Sequence, residues 1–261
     1  MMQALWVGKT GLSAQNTRLS TIANNLANAA TVGYKRDDAQ FEDLLYQVRV
    51  QPGASSSQST ELPSGMQVGT GVRVVSTTKQ FTEGSLQITG KALDVAINGR
   101  GFFQIQLPDG STAYTRNGQF QLSADGELVT SSGQLVDPGV TIPQDAQTIT
   151  ISKDGIVEVQ IAGQAATQQI GQFQLADFIN PAGLQAMGNN LYLESSASGT
   201  PQQGQPGTTG FGLLEQNTLE SSNVDVVEEM VNMITTQRTY EMNSKVIATA
   251  DQMLQFITQT L

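Results

Sequence analysis

The chain has 261 residues, 38% of them hydrophobic and only 6% aromatic, which is enough for one large domain or two modest ones. It holds no Cys and no His, and this removes disulfides, zinc-thiolate sites, the commonest general base and every Ser-His or Cys-His nucleophile pair. A net charge of −10 argues against nucleic acid or an anionic membrane as the main partner.

The opening stretch MMQALWVGKTGLSAQ has no unbroken apolar run, and Lys9 falls inside its hydrophobic part rather than before it. It does not read as a secretory signal peptide. No segment approaches the roughly 20 apolar residues that a membrane-spanning helix needs. Export, if it occurs, must use another route.

Leu5, Leu12, Leu19 and Leu26 recur at a heptad interval, with Ile22, Ala23, Ala27 and Ala30 on the same side. This spacing predicts an amphipathic helix from about residue 3 to about residue 30 with a coiled-coil period. Gly8 and Gly11 weaken its first turns, and Gly33 stands where a C-cap glycine belongs. Its end, NNLANAATVGYKR, is rich in amides and alanines rather than core residues.

The segment Val50 to Val72 is rich in Ser, Gly, Pro and Gln and reads on its own as a loop or linker. From about Val72 the texture is β. Asp109-Gly110, Asp125-Gly126 and Asp154-Gly155 each stand between strand-like runs, the strongest short hairpin signal, and imply an antiparallel domain. Phe102 and Phe103 read as core residues of one strand.

SSNVDVVEEMVNMI offers Ser222 and Asn223 as N-caps, with acids in the first turn complementing the helix dipole. Val224, Val227, Val231 and Ile234 form a stripe, and Ile247, Ala250, Leu254, Ile257 and Leu261 continue at three- and four-residue steps. No Gly or Pro interrupts from residue 223 to about 258, so the pattern predicts one helix of about 50 Å. Residues 1–36 carry Lys9, Arg18, Lys35 and Arg36 and no acid, whereas residues 223–261 carry five acids against Arg238 and Lys245. Two helices of matching period and opposite charge should pair. The fold class expected is α+β, with paired, coiled-coil-like N- and C-terminal helices flanking a central antiparallel β-rich domain. The domains are residues 1–36 with 223–261, a connecting segment 37–72, and a β domain 73–222.

Catalysis finds little support. A carboxylate-pair hydrolase needs no His, but Asp109, Asp125 and Asp154 sit in turns and Asp137 precedes Pro-Gly, where side-chain capping accounts for them. GTGVRV and NGRGFF are glycine pairs without a phosphate-loop pattern, and ISKDGIVEV offers too few acids for a calcium loop. Tyr34, Arg36 and Tyr114 have no partner set that suggests chemistry. No enzyme activity, cofactor, metal or small-molecule substrate is expected.

The amides beside the apolar seam, namely Asn24, Asn25 and Asn28 and then Gln237, Asn243 and Ser244, favour register-fixing contacts over maximal burial. A two-helix hairpin buries only part of each stripe. Both features suit helices that pack against copies of themselves.

At these residues the chain resembles the bacterial flagellar rod and hook proteins. NNLANAATVGYKR is similar to the family's N-terminal signature. DVAINGRGFF, YTRNGQFQLSADGELVTSSGQLV and the long stretch from Leu214 to Leu254 resemble its β domain and C-terminal helix, in order and over nearly the whole chain. Tyr34 stands where many relatives have Phe. FEDLLYQ followed by residues 51–72 looks like the family's distal-rod members, and length counts against the hook branch. The resemblance implies a structural subunit, exported unfolded through the flagellar type III apparatus, that self-assembles into a helical tube through the periplasm. The tube would surround the export channel and transmit torque from motor to hook. The terminal helices would form the inner layer. Leu5, Leu12, Leu19, Ile22, Asn24, Asn25, Leu26 and Asn28 would contact neighbours there, as would Val227, Val231, Ile234, Ile247, Leu254 and Ile257. Gln51, Pro52, Gly53, Leu62, Pro63, Ser64 and Gly65 would mark an extended rod-specific segment. Implied partners are further copies, proximal rod proteins, the hook protein or hook–rod junction, the periplasmic and outer-membrane ring proteins and the export apparatus. The alternatives are another axial protein of the same family, an unrelated fibre or adhesin, which should close as a trimer, and a peptidoglycan hydrolase, for which no sequence is left over.

Overall fold

The computed structural model describes residues 2–53, 55–57, 60–61, 64–162 and 166–259. They divide into two compact units. One comprises Met1–Ala27, Asp37–Thr78 and Asp225–Leu261; the other comprises Asn28–Arg36 and Lys79–Val224.

The first unit is built on helix α1, Met2–Ala27, and helix α2, Val226–Gln259, which lie against each other. They run antiparallel: a Cβ added at Gly8 would meet Ile247 Cγ1 at 2.9 Å, and one added at Gly11 would meet Asn243 Nδ2 at 3.2 Å. The two glycines therefore permit close approach rather than merely weakening the first turns. α2 begins later than the capping pattern suggested. Asp225, not Ser222 or Asn223, is the N-cap, its Oδ1 accepting the Val227 and Glu228 amides at 2.8 and 3.2 Å.

The strand Asp37–Asp43 packs on α1 and pairs with Val72–Lys79. Between them the chain forms a ribbon. Gln47–Val50 pairs antiparallel with Met66–Val68, and Ser55–Ser57 with Thr60–Glu61. Composition pointed to a loop here because Gln47–Val50 and Met66–Val68 are exposed at nearly every position, so no apolar alternation marks them. Gly65 is required by contact, since a Cβ there would lie 2.4 Å from Val50 O and 2.6 Å from Pro52.

The second unit holds a nine-stranded sheet around the central strand Phe102–Gln106, a three-stranded antiparallel sheet spanning Ala146 to Gln172, and two short strand pairs. Phe102–Gln106 pairs with Thr112–Thr115 on one side, and with Leu135–Asp137 and Leu175–Asp177 on the other. The three Asp-Gly pairs all form hairpin turns, with Gly110, Gly126 and Gly155 at φ near +80°. Phe102 and Phe103 are both buried, as neighbours on a strand must be, on opposite faces. Phe103 packs with Phe120 and Phe173 in the main core, whereas Phe102 joins Phe81, Phe178 and Tyr192 in a separate aromatic cluster.

The end of α1 differs from the periodicity. The helix stops at Ala27. Asn28 then turns the chain, its carbonyl and side chain accepting the Thr31 amide and hydroxyl at 3.1 and 3.2 Å. Gly33, six residues past the helix, is not its C-cap. It has φ +69° and sits in the β unit, donating its amide to Glu220 O at 2.9 Å, where a Cβ would lie 2.8 Å from the Asn117 nitrogen. Gly33→Ala adds both a strained φ and a backbone clash, so it should cost at least about 1 kcal/mol, read as a lowered urea midpoint.

Candidate assembly surfaces and their anchor

Helix α2, 34 residues long, carries apolar side chains on two faces. At about 100° per residue, Val227, Val231 and Ile234 share one roughly 60° arc, and Ile247, Ala250 and Leu254 share another nearly opposite. Exposure follows this geometry. Ala250 is buried and Ile247 and Leu254 are half-buried, whereas Val227, Val231 and Ile234 are 72%, 55% and 49% exposed. Met230, Met242, Val246, Met253 and Phe256 extend the exposed face. Helix α2 thus spends one apolar face within the unit and presents the second outward.

On α1, Leu5, Leu12, Leu19 and Leu26 are half-buried and Ile22 is buried. The amides serve the chain itself more than the spacing suggested. Asn25 is 1% exposed, and its side chain clamps the backbone of Asp37, donating from Nδ2 to Asp37 O at 2.8 Å and accepting the Asp37 amide at 2.9 Å. Asn24 lies on the surface, Asn28 belongs to the turn, and half-buried Asn243 sits beside Gly11. Gln237 and Ser244 are exposed, as are Gln51, Pro52, Gly53 and Ser64, while Gly65 is half-buried. Leu62 and Pro63 lie outside the described residues, as does the side chain of Ile257. A groove of about 650 Å³ opens between the helices and the ribbon base, lined by Val7, Gly8, Gly11, Gly71, Val72 and Val246.

The end of the N-terminal motif, Asn28–Arg36, belongs to the β unit. Lys35 is fully buried there, its Nζ 2.6 Å from Glu220 Oε1 and 2.7 Å from Thr82 O. Burial pulls the Lys35 ammonium below the usual lysine range, and the Glu220 carboxylate pulls the other way. Glu220 Oε1 also accepts the Gly84 amide at 3.0 Å, and Oε2 lies 3.4 Å from Arg116 Nε. Arg116 donates in turn to Gly101 O and Gly99 O at 3.0 and 2.9 Å. The glycine pair of NGRGFF therefore presents carbonyls to a buried guanidinium rather than amides to a phosphate. Asn223 completes the anchor. It accepts the Arg36 amide at 2.8 Å and donates to Gln80 O at 2.8 Å and to Thr82 Oγ1 at 2.9 Å. Sequence reading missed this set because each member is ordinary alone and its partners lie far away in the chain.

Among the described residues no group of three or more metal-ligating side chains gathers, and no helix is long and apolar enough to cross a membrane.

The sequence profile of the family described as flagella basal body rod protein matches residues 5–35. That of the flagellar hook protein FlgE/F/G D1 domain matches residues 96–159, and that of the flagellar basal body rod FlgEFG protein C-terminal region matches residues 215–260. The flagellar basal-body rod protein FlgG of Buchnera aphidicola from Schizaphis graminum is 54% identical over 259 residues, covering 99% of this chain and 100% of the relative. FlgG of Caulobacter vibrioides is 51% identical over 259 residues, covering 99% of each chain. FlgG of Bacillus subtilis is 38% identical over 260 residues, covering 98% of this chain and 97% of the relative. Lys35 and Glu220 both fall inside matched segments, residues 5–35 and 215–260.

Removing the cation from this anchor leaves a buried carboxylate short of its ion pair. Lys35→Met should therefore cost about 3–5 kcal/mol of stability, read from the urea midpoint of the intact chain.

Proposed function

We propose a polymer mechanism for this chain, which belongs to the flagellar basal-body rod protein FlgG family and is a structural subunit of the distal rod, not an enzyme. It works within the flagellar basal body. In our reading, subunits join through their terminal helices into a helical tube. That tube encloses the export channel and carries torque from motor to hook.

The observation that carries this reading is the outward apolar face of α2. Val227, Val231 and Ile234 stand in solvent on the isolated chain while the opposite face of the same helix is satisfied by α1. Covering a Val or Ile side chain contributes about 1.5–3 kcal/mol, so one such face repeated along a filament supplies many modest contacts of the kind a shaft needs. Lateral contact would then use Val227, Val231, Ile234 and the exposed methionines. Leu5, Leu12, Leu19, Leu26, Ile247 and Leu254, being half-buried, would add only their remaining surface, and Ile22 and Asn25 would hold the unit in shape. We further propose that the two terminal helices form the inner layer and the β unit the outer one. The ribbon within residues 37–72 reaches neighbouring copies, its exposed Gln51, Pro52 and Gly53 suiting such contact.

Proximal rod proteins below, the hook protein or hook–rod junction above and the ring proteins around the shaft are the neighbours that this role implies. The subunit would reach them unfolded through the type III export apparatus. Helices that depend on packing for their order fit that route.

An aspartate on the outward face should separate folding from assembly. Val231→Asp should leave the helical circular-dichroism signal and urea midpoint of the dilute subunit unchanged. In sedimentation velocity the parent chain should self-associate with rising concentration, and the variant should not. Undiminished association of the variant would remove the outward face from the interface.

A further inference from the structure

Asn-Gly occurs twice in the chain, at Asn98-Gly99 and at Asn117-Gly118. In such a pair the glycine nitrogen can attack the carbonyl carbon of the asparagine side chain, because the glycine has no side chain to stand in its way. Both pairs lie in the β unit, yet the fold treats them in opposite ways.

Asn98 is the exposed last residue of the strand Val95–Asn98, and Gly99 after it is half-buried. Among the described residues the Gly99 amide donates to no acceptor. Asn98 Nδ2 donates to Glu215 Oε1 at 2.9 Å, a surface bond that holds only the nitrogen that would leave. Asn117-Gly118 is pinned instead. Asn117 Oδ1 accepts the Gln119 amide at 3.0 Å, and the Asn117 amide donates to Thr115 Oγ1 at 3.1 Å. Gly118 is buried, its carbonyl accepts the Val95 amide at 3.0 Å, and a Cβ there would collide with Val95 O. That peptide has no room to swing. Nor can Gly99 be exchanged for a bulkier residue. It has φ +114°, and a Cβ there would lie 2.7 Å from Gly212 Cα. The fold itself therefore keeps the least hindered successor behind an exposed asparagine.

We propose that Asn98 is a self-modification site at which the folded chain loses ammonia. The Gly99 nitrogen bonds to Asn98 Cγ, the Cγ–Nδ2 bond breaks, and ammonia departs with the proton that Gly99 gave up. Water then opens the five-membered imide at either carbonyl. One of its protons returns to the Gly99 nitrogen, and an aspartyl or isoaspartyl link remains. The aspartyl product sets a carboxylate beside Glu215 where a hydrogen bond stood, so like charges meet across the strand pair Val95–Asn98 and Leu213–Gln216. The isoaspartyl product adds a methylene to the backbone just ahead of Gly99. Arg116 donates to the Gly99 and Gly101 carbonyls at 2.9 and 3.0 Å and pairs with Glu220, so this lengthening reaches the buried anchor. The site belongs to the single chain and does not depend on what the chain assembles into.

The test is ageing of the full chain in mildly alkaline buffer, which favours loss of the attacking proton, followed by digestion and mass spectrometry. The Asn98 peptide should convert at least about tenfold faster than the Asn117 peptide, because the latter must first give up two hydrogen bonds. In urea the two should convert alike. The urea midpoint of the parent should fall as conversion proceeds. Asn98→Gln, whose closure would need a six-membered imide, should keep its midpoint over the same period. Asn98→Asp should reproduce only the charge part of the loss. An Asn98 peptide that stays intact in the folded chain while both convert in urea would overturn the proposal. So would equal conversion of the two in the folded chain, or the same difference between them in urea, which would take the fold out of the cause. A converted chain with the parent's midpoint would overturn the link to the anchor.

Discussion

One buried carboxylate ties the β unit together. Glu220 is 1% exposed, and desolvating a carboxylate is costly unless it is paired and hydrogen-bonded. Here Lys35, Arg116 and the Gly84 amide supply the pairing, and the Glu220 backbone carbonyl receives the Gly33 amide. Such a cluster contributes little net stability compared with a hydrophobic replacement, but it tolerates few alternatives. Each partner comes from a different part of the chain, and removing any one leaves the others uncompensated. The cluster therefore acts on uniqueness of the fold more than on its free energy.

Its position in the chain gives that uniqueness a use. Lys35 follows the last residue of α1 by eight positions and Glu220 precedes the first residue of α2 by six. The same region holds Arg36, Gln80 and Asn223, cross-tied by the Asn223 amide and by the Gln80 amide to the Arg36 carbonyl at 2.8 Å. These three residues flank places where the chain leaves or enters the β unit. Within the β unit the network therefore fixes together the three chain segments next to those places.

What the sequence revealed was local. Asp-Gly turns and uninterrupted three- and four-residue spacing depend on residues a few positions apart, and these elements formed where expected. The end of α1 was misjudged because Asn28 binds Thr31 and turns the chain instead of prolonging the helix. The start of α2 was misjudged because Ser222 and Asn223 are occupied elsewhere, Asn223 by Arg36 and Gln80. The Lys35–Glu220 pair spans 185 positions, and no periodicity encodes such a partner. The two faces of α2 were present in the spacing. Naming both runs as stripes hid that Val231 and Leu254 point in nearly opposite directions. The strand pair Gln47–Val50 with Met66–Val68 was hidden for a physical reason, since strands exposed on both sides need no alternation.

The two helices divide their tasks through propensity. Gly8 and Gly11 each cost α1 about 1 kcal/mol relative to Ala, and a side chain at either position would press on Ile247 or Asn243. α1 thus trades intrinsic helicity for close approach, and its order depends on what it touches. α2 has no Gly or Pro between Val226 and Gln259, so no residue of that kind interrupts it. Yet its apolar side chains are too many for one neighbour: one face is met by α1 and the other remains open. The terminal unit thus keeps one apolar face of α2 exposed on the single chain. On the polymer reading proposed above, that face would separate a subunit of a shaft from a self-sufficient helical hairpin, and the difference would arise from two glycines and one extra apolar face rather than from any reactive group.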